Sequence, residues 1–380
     1  MRKLISVVWT VALLLQAGVA VALEPPKITA RSAVLLDRAT GRILFSKNAH
    51  EQLPVASTTK IMTAVLALES GKMHQAVKVS EYAASVGGSG VDLEPGEEKT
   101  LEELVYGLIL RSGNDAATAI AEHLSGSVEK FAEKMTKRAR ELGATRTNFV
   151  NPHGLHHDEH YSTAYDMAII TAHAYSLPKF REICFTREIK ISWPGRPYDR
   201  LLRNQNRLLV MYKGADGVKT GWTTPAGRCF VGSVTRDGWQ LLSVVLKAPQ
   251  MWEDTILMFD FGYTHYRWHT VMTAGQPVLT VEVKNGVADR VTLVAGREVG
   301  LPLKENEAEV LRFVFSAEEA LAAPLKAGRP AGTVDIYFGE QLVESAPLLV
   351  GEAVERLGPG RLIRGFFGRF RRAGQEAAVN

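Results

Sequence analysis

Three short motifs, far apart in the chain, constrain it most: Ser57-Thr58-Thr59-Lys60, Ser112-Gly113-Asn114 and Lys219-Thr220-Gly221. A lone Ser-x-x-Lys arises by chance in many chains of this length. All three in this order and at this spacing do not, and together they read as parts of one serine-nucleophile active site. Ser57 and Lys60 are three residues apart, on one face of a first turn if Pro54 and Val55 lead into a helix. A serine hydroxyl is a weak nucleophile without a base beside it, and an ammonium cannot accept a proton. Burial of Lys60 near a second cation, Lys219, would lower its pKa and let it act as that base. A helix N-terminus would also favour negative charge developing on Ser57.

Ser112 reads as lying in a turn between two helices, where its hydroxyl can both donate and accept and so relay a proton to a leaving amine. Asn114 can hold a substrate amide, cap the helix Asp115 to Leu124, or do both. Lys219 and Thr220, on an expected edge strand, would face a substrate carboxylate or the leaving group. Gly221 would let the substrate backbone lie against that strand.

A chain of 380 residues is comfortable for two domains, and 46% hydrophobic with 23% charged residues is an ordinary globular composition. A net charge of +4 argues against nucleic acid as a partner. Residues 1–22 read as an export signal: Arg2 and Lys3, an apolar run Leu4 to Leu15, then Ala20-Val21-Ala22. That run is short for a bilayer span, and no other stretch is apolar enough to be one. Cys184 and Cys229 allow one bridge at most, and two buried thiols are the preferred reading. Neither has the surroundings of a catalytic thiol.

The expected catalytic domain, 23–265, is α/β (α+β), an antiparallel sheet with a helical cluster. Its expected elements are a hairpin around Ala39-Thr40-Gly41, a buried helix from Pro54 to Ser70, and a helix capped by Thr100 and Glu103. Helices at 115–124, 128–142 and from Thr163 to Ala174 follow, then strands at 229–235 and 241–246 around Asp237-Gly238, and a closing helix at 253–263. A small all-β domain, 275–352, is expected from short runs at 278–283, 291–295, 310–315, 333–338 and 348–350.

Residues 30–263 resemble the D-alanyl-D-alanine carboxypeptidases, the low-molecular-mass penicillin-binding proteins. Besides the three motifs the stretches that carry this are Pro54 to Thr63, Arg111 to Ala116, Asn151-Pro152-His153-Gly154-Leu155 and Gly217 to Gly221. Gly113, where β-lactamases usually have Asp, fits the same family. The β-domain resembles the family's second domain more weakly. The resemblance implies a β-lactamase/penicillin-binding-protein-like fold and attack by Ser57 on the penultimate D-alanine carbonyl of peptidoglycan stem peptides. Lys60 would be the proton acceptor, and the N–H groups of Ser57 and Trp222 the oxyanion hole. Ser112 and Lys219 would pass a proton to the leaving D-alanine, Thr220 would bind its carboxylate, and Asn114 the peptide. β-Lactam antibiotics would acylate the same serine. No cofactor is implied. A D,D-endopeptidase cutting cross-links would use the same residues. A β-lactamase would need a Glu-x-x-Leu-Asn stretch, which does not follow Asn114.

Two features depart from that pattern or compete with it. Related enzymes often carry an arginine for the substrate carboxylate in the loop that here reads Pro249-Gln250-Met251-Trp252. Recognition would then rest on Thr220 and Lys219, or on an arginine such as Arg228 from elsewhere. His153, His156, His157 and His160, with Asp158 and Glu159, raise the question of zinc. A solvated loop near the cleft mouth, with no metal, is the preferred reading.

The C-terminal segment 357–373 is expected to be an amphipathic membrane-anchor helix. Leu362, Ile363, Phe366, Phe367 and Phe370 fall in one arc of about 140°, with five arginines opposite within 361–372. That pattern suits an anionic membrane surface, on the outer face of the cytoplasmic membrane.

Overall fold

Ser32–Asp37 (β1) is buried at all six positions. A strand with one wet face alternates, whereas one covered on both faces does not. Val34 and Leu36 belong to the core built with the helical cluster, and Leu35 lies against Gly262 of the helix Met251–His265. The strand is thus covered on both sides. The structure is a computed structural model describing residues 4–9, 24–305 and 307–358. Two units separate after His265.

In the first unit β1 pairs with Ile43–Lys47 (β2) and Trp239–Leu246 (β5), and β5 pairs with Gly227–Arg236 (β4). Ala215–Thr223 (β3) completes an antiparallel five-stranded sheet in the order β2-β1-β5-β4-β3, so β3 is an edge. Asp237 and Gly238, with φ of 50° and 80°, make the tight β4–β5 turn.

The helical cluster centres on Lys60–Glu69 (α1), where Ile61, Met62, Thr63, Ala64, Val65 and Ala67 are all buried. Leu101–Leu110 (α2), Asn114–Ser125 (α3), Val128–Glu141 (α4) and Ala164–Ala174 (α5) pack around it. Each fully buried Met, Val or Ile contributes about 1.5–3 kcal/mol. The Thr100–Glu103 capping box forms with both bonds present, and Thr163 caps α5 through the Asp166 N–H. The helix expected from Pro54 begins later. Ala56–Thr59 is a 3-10 turn, entered through Ala56 at φ 47°, and α1 starts at Lys60. The Thr58 hydroxyl and N–H both bond the Val55 carbonyl, an alternative to regular helix at this point.

The second unit holds an antiparallel pair, Arg267–Met272 (β6) with Val299–Leu303 (β9), and a larger sheet. That sheet contains Pro277–Lys284 (β7), Arg290–Ala295 (β8), Leu311–Glu318 (β10), Ala320–Ala322 (β11), Pro330–Phe338 (β12) and Gln341–Val350 (β13). The strand Leu4–Trp9, inside the segment read as an export signal, pairs with the edge of β10. Ile5, Val7 and Val8 are good strand formers. The amphipathic segment 361–372 lies outside the described residues. Among the described residues no helix is long and apolar enough to cross a membrane.

Candidate active site

The 3-10 turn that replaces the expected helix start brings Ser57 and Lys60 together. Residues i and i+3 eclipse in such a turn, and Lys60 Nζ lies 3.1 Å from Ser57 Oγ. Two further acceptors fix the amine: Asn114 Oδ1 and the His153 carbonyl, each at 2.7 Å. Lys60 is fully buried. Burial first, and the charge of Lys219 second, hold it well below the ordinary lysine range, against an upward pull from Asp115. A neutral amine with its lone pair near a hydroxyl is a general base.

Ser112 follows α2 at φ 63° and is 4% exposed. Among the described residues its hydroxyl makes no hydrogen bond, leaving it available to relay a proton. The next residue, Gly113, has a local cause. A Cβ there would sit 2.7 Å from Asp115 Oδ1, because the Asp115 carboxylate folds back onto the N-terminus of α3. It accepts the N–H groups of Val91, Leu93 and Ala116. Asp115 therefore pins the 86–93 loop and leaves no room for a side chain at 113.

Asn114 opens α3, and both ends of its amide are engaged: Oδ1 by Lys60, Nδ2 with the Gly87 carbonyl at 2.7 Å. Its backbone N–H donates to the Ser89 carbonyl at 2.7 Å. Its side chain thus holds Lys60 and the 86–93 loop. Gly113, not Asn114, is the N-cap.

Lys219, Thr220 and Gly221 sit on edge strand β3, as expected. Lys219 is 1% exposed, and burial brings it down to about 7. A Cβ on Gly221 would lie 2.9 Å from the Ser57 nitrogen, so the turn that carries Ser57 packs directly on β3. Ser57, Ser112, Thr220, Gly221 and the exposed Trp222 line one open cleft of about 390 Å³. Sequence reasoning missed Ser89 and Gln205 in its wall, although Gly87-Gly88-Ser89-Gly90 marks a loop that can approach closely.

The sequence pattern of the family described as D-alanyl-D-alanine carboxypeptidase matches residues 19–250, and that of the penicillin-binding protein 5 C-terminal domain matches 266–356. This chain belongs to the D-alanyl-D-alanine carboxypeptidase family. It is 37% identical to D-alanyl-D-alanine carboxypeptidase DacF of Bacillus subtilis over 87% of each chain. Its identity to DacC of Escherichia coli is 33%, over 91% of this chain and 88% of that one. The solved penicillin-binding protein 5 of Haemophilus influenzae superposes with a TM-score of 0.74 at 31% identity, covering 88% of this chain and all 100% of that one.

In this carboxypeptidase-family chain the histidine-rich loop is not uniformly solvated. His153 and His160 are 7% and 3% exposed. Backbone N–H groups of Leu155 and Val150 donate to their Nδ1 atoms at 3.2 and 3.1 Å. With Nδ1 accepting, His160 Nε2 carries the proton and donates to Thr59 Oγ1 at 2.8 Å. Burial lowers His153 to about 3 and His160 to about 4, with smaller contributions from neighbouring positive groups. Among the described residues no cluster of His, Cys, Asp or Glu is arranged to hold a metal ion. Asn151 Oδ1 accepts the Gly154 N–H at 2.7 Å, shaping the turn that presents the His153 carbonyl to Lys60. Cys184 and Cys229 are unbonded and buried, and burial raises both thiols.

Proposed function

We propose that this chain, a serine D-alanyl-D-alanine carboxypeptidase by family, removes the terminal D-alanine of peptidoglycan pentapeptides through an acyl-enzyme on Ser57. The observation that carries this reading is the buried Lys60 amine, 3.1 Å from Ser57 Oγ and depressed in pKa. Lys60 takes the Ser57 proton as Oγ attacks the penultimate carbonyl carbon. The oxyanion is received by the N–H groups of Ser57 and Trp222. The C–N bond then breaks, and the departing amine gains its proton through Ser112, with Lys219 behind it. Thr220 binds the terminal carboxylate and Gly221 admits the peptide along β3. Asn114 holds Lys60 and the 86–93 loop and binds the peptide. Water, activated by Lys60, hydrolyses the ester. A β-lactam presents a similar amide and acylates the same serine. The chain's export by residues 1–22 and its attachment to an anionic membrane by 361–372 belong to the same proposal.

The test is hydrolysis of a pentapeptide compared with a cross-linked dimer. Release of D-alanine from the pentapeptide is expected. Cleavage of the dimer with the pentapeptide untouched would overturn the carboxypeptidase reading in favour of an endopeptidase.

A further inference from the structure

The cleft takes Ser89 and Gln205 from two segments far apart in the chain, 86–97 and 200–205. These segments are joined by a group of charges that the chemistry on Ser57 does not use. Glu97, Lys99 and Arg200 are each more than nine-tenths buried. The Arg200 fork meets the Glu97 carboxylate in two bonds, Nη1 to Oε1 at 2.9 Å and Nη2 to Oε2 at 3.1 Å. Nη2 also donates to the Asp92 carbonyl at 2.8 Å, and the guanidinium lies 4.4 Å from the centre of the Trp193 ring. Lys99 Nζ reaches Glu97 Oε1 at 3.1 Å and Ser192 Oγ at 2.8 Å. In the hairpin of Glu188–Ile191 with Arg200–Arg203, Ser192 follows one arm and Arg200 opens the other, so both arms are held.

Two cations share one carboxylate here, and Arg200 Nε is buried with no partner among the described residues. Such a group carries a desolvation cost that apolar side chains of similar volume avoid, so stability is a poor reason for it. What it fixes is geometry. Asp92, three residues after Ser89, has a left-handed φ of 58°, an uncommon conformation for a non-glycine residue that its surroundings must hold. Asp115 holds the N–H groups on either side, those of Val91 and Leu93, and Arg200 holds the Asp92 carbonyl between them. Gln205 lies five residues after Arg200, past the end of its strand, with its N–H on the Leu110 carbonyl. Resting on the acyl-enzyme reading above, we infer that Arg200 is a positioning residue of this active site. Its guanidinium ties the Ser89 wall of the cleft to the Gln205 wall and so sets the width of the channel that receives the peptide. It touches neither the substrate nor Ser57, and Lys60 keeps its contacts to Asn114 and His153 without it.

The test compares wild type with Arg200→Met and with a triple variant, Glu97→Leu with Lys99→Met and Arg200→Met, which leaves no charge buried without its partner. Arg138→Ala, which breaks a salt bridge to Glu69 and does not line the cleft, is the stability control. Each protein is assayed on a pentapeptide ending in D-Ala-D-Ala and on a small activated thioester that reaches Ser57 without filling the channel, with a melting curve beside each. A misplacement of about 1 Å costs roughly 10²-fold where a substrate must be oriented. In the triple variant kcat/KM on the pentapeptide is expected to fall by about 10- to 100-fold, mostly through KM. Thioester turnover should stay within about 2-fold, because Ser57 and Lys60 are untouched, and the melting temperature should stay close to that of wild type. Arg200→Met should show the same split between substrates with a lower melting temperature. An equal loss on both substrates, an unchanged pentapeptide KM in the folded triple variant, or the same rise in KM in Arg138→Ala would overturn the assignment. Thioester turnover that survives Ser57→Ala would instead overturn the nucleophile reading, so the two failures are distinguishable.

Discussion

Acidification should undo this fold from the His153–His160 loop, and His160→Gln isolates the effect. His160 is 3% exposed, and burial holds its folded pKa near 4, against an ordinary value of 6.5. The unfolded chain therefore takes up a proton at this site between pH 6.5 and 4 that the folded chain refuses. Its neutral-state stability is fully present above about 6.5 and lost as pH falls towards 4. A one-unit pKa difference is worth about 1.36 kcal/mol, so lowering His160 from 6.5 to about 4 amounts to about 3 kcal/mol. That is a large share of the roughly 5–15 kcal/mol typical of a folded protein. His153, lowered to about 3, acts in the same direction over a wider window. Urea unfolding of wild type and His160→Gln at pH 7, 6, 5 and 4 is the assay, because carboxylates common to both cancel in the comparison. At pH 7 the variant should be less stable, having lost the bond to Thr59. By pH 4 the gap should have closed by about 3 kcal/mol. A gap that stays constant from pH 7 to pH 4 would refute the burial argument.

Lys219→Gln removes the second-largest cause of the low Lys60 pKa; the acid limb of kcat/KM should move to higher pH, and a limb near 7, where Lys219 itself loses its proton, should vanish from the profile. In Gly221→Ala the new Cβ would sit 2.9 Å from the Ser57 nitrogen. β-Lactam acylation should slow by about 10²-fold or more, the scale of a lost oxyanion donor, with the circular dichroism spectrum unchanged. Asn151→Ala frees the turn that holds the His153 carbonyl on Lys60, so acylation should slow and the thermal midpoint fall by several degrees in a melt. Truncation before Gly358 should leave pentapeptide hydrolysis intact and abolish salt-sensitive binding to anionic vesicles, as read by co-sedimentation.

Much of the catalytic unit was legible because its signals are local. The unbroken apolar run of β1, the Thr100–Glu103 box and the Asp237-Gly238 turn each carry their cause within a few residues. The same is true of Ser57 and Lys60, whose spacing alone puts them within reach. What stayed hidden depends on the assembled chain. His153 reaches Lys60 through its backbone carbonyl, for which no side chain gives a sign. The burial of His153 and His160 follows from backbone donors and from Phe149, whose ring lies 5.6 Å from that of His160. That Lys60 and Gly87 engage both ends of the Asn114 amide is equally invisible in sequence. In the second unit β6 is mostly exposed, and β9 is a five-residue stretch in which Gly300 and Pro302, residues that argue against a strand, separate its apolar positions.

In the proposed mechanism Ser57 is the acylated residue and Lys60 its base. Intact-mass analysis after incubation with a β-lactam, followed by peptide mapping, tests it most directly. A single adduct is expected on the peptide containing Ser57, none in Ser57→Ala, and acylation slowed by about 10²–10⁴-fold in Lys60→Ala. An adduct that persists in Ser57→Ala, or one that maps to Ser112 or Ser89, would contradict it.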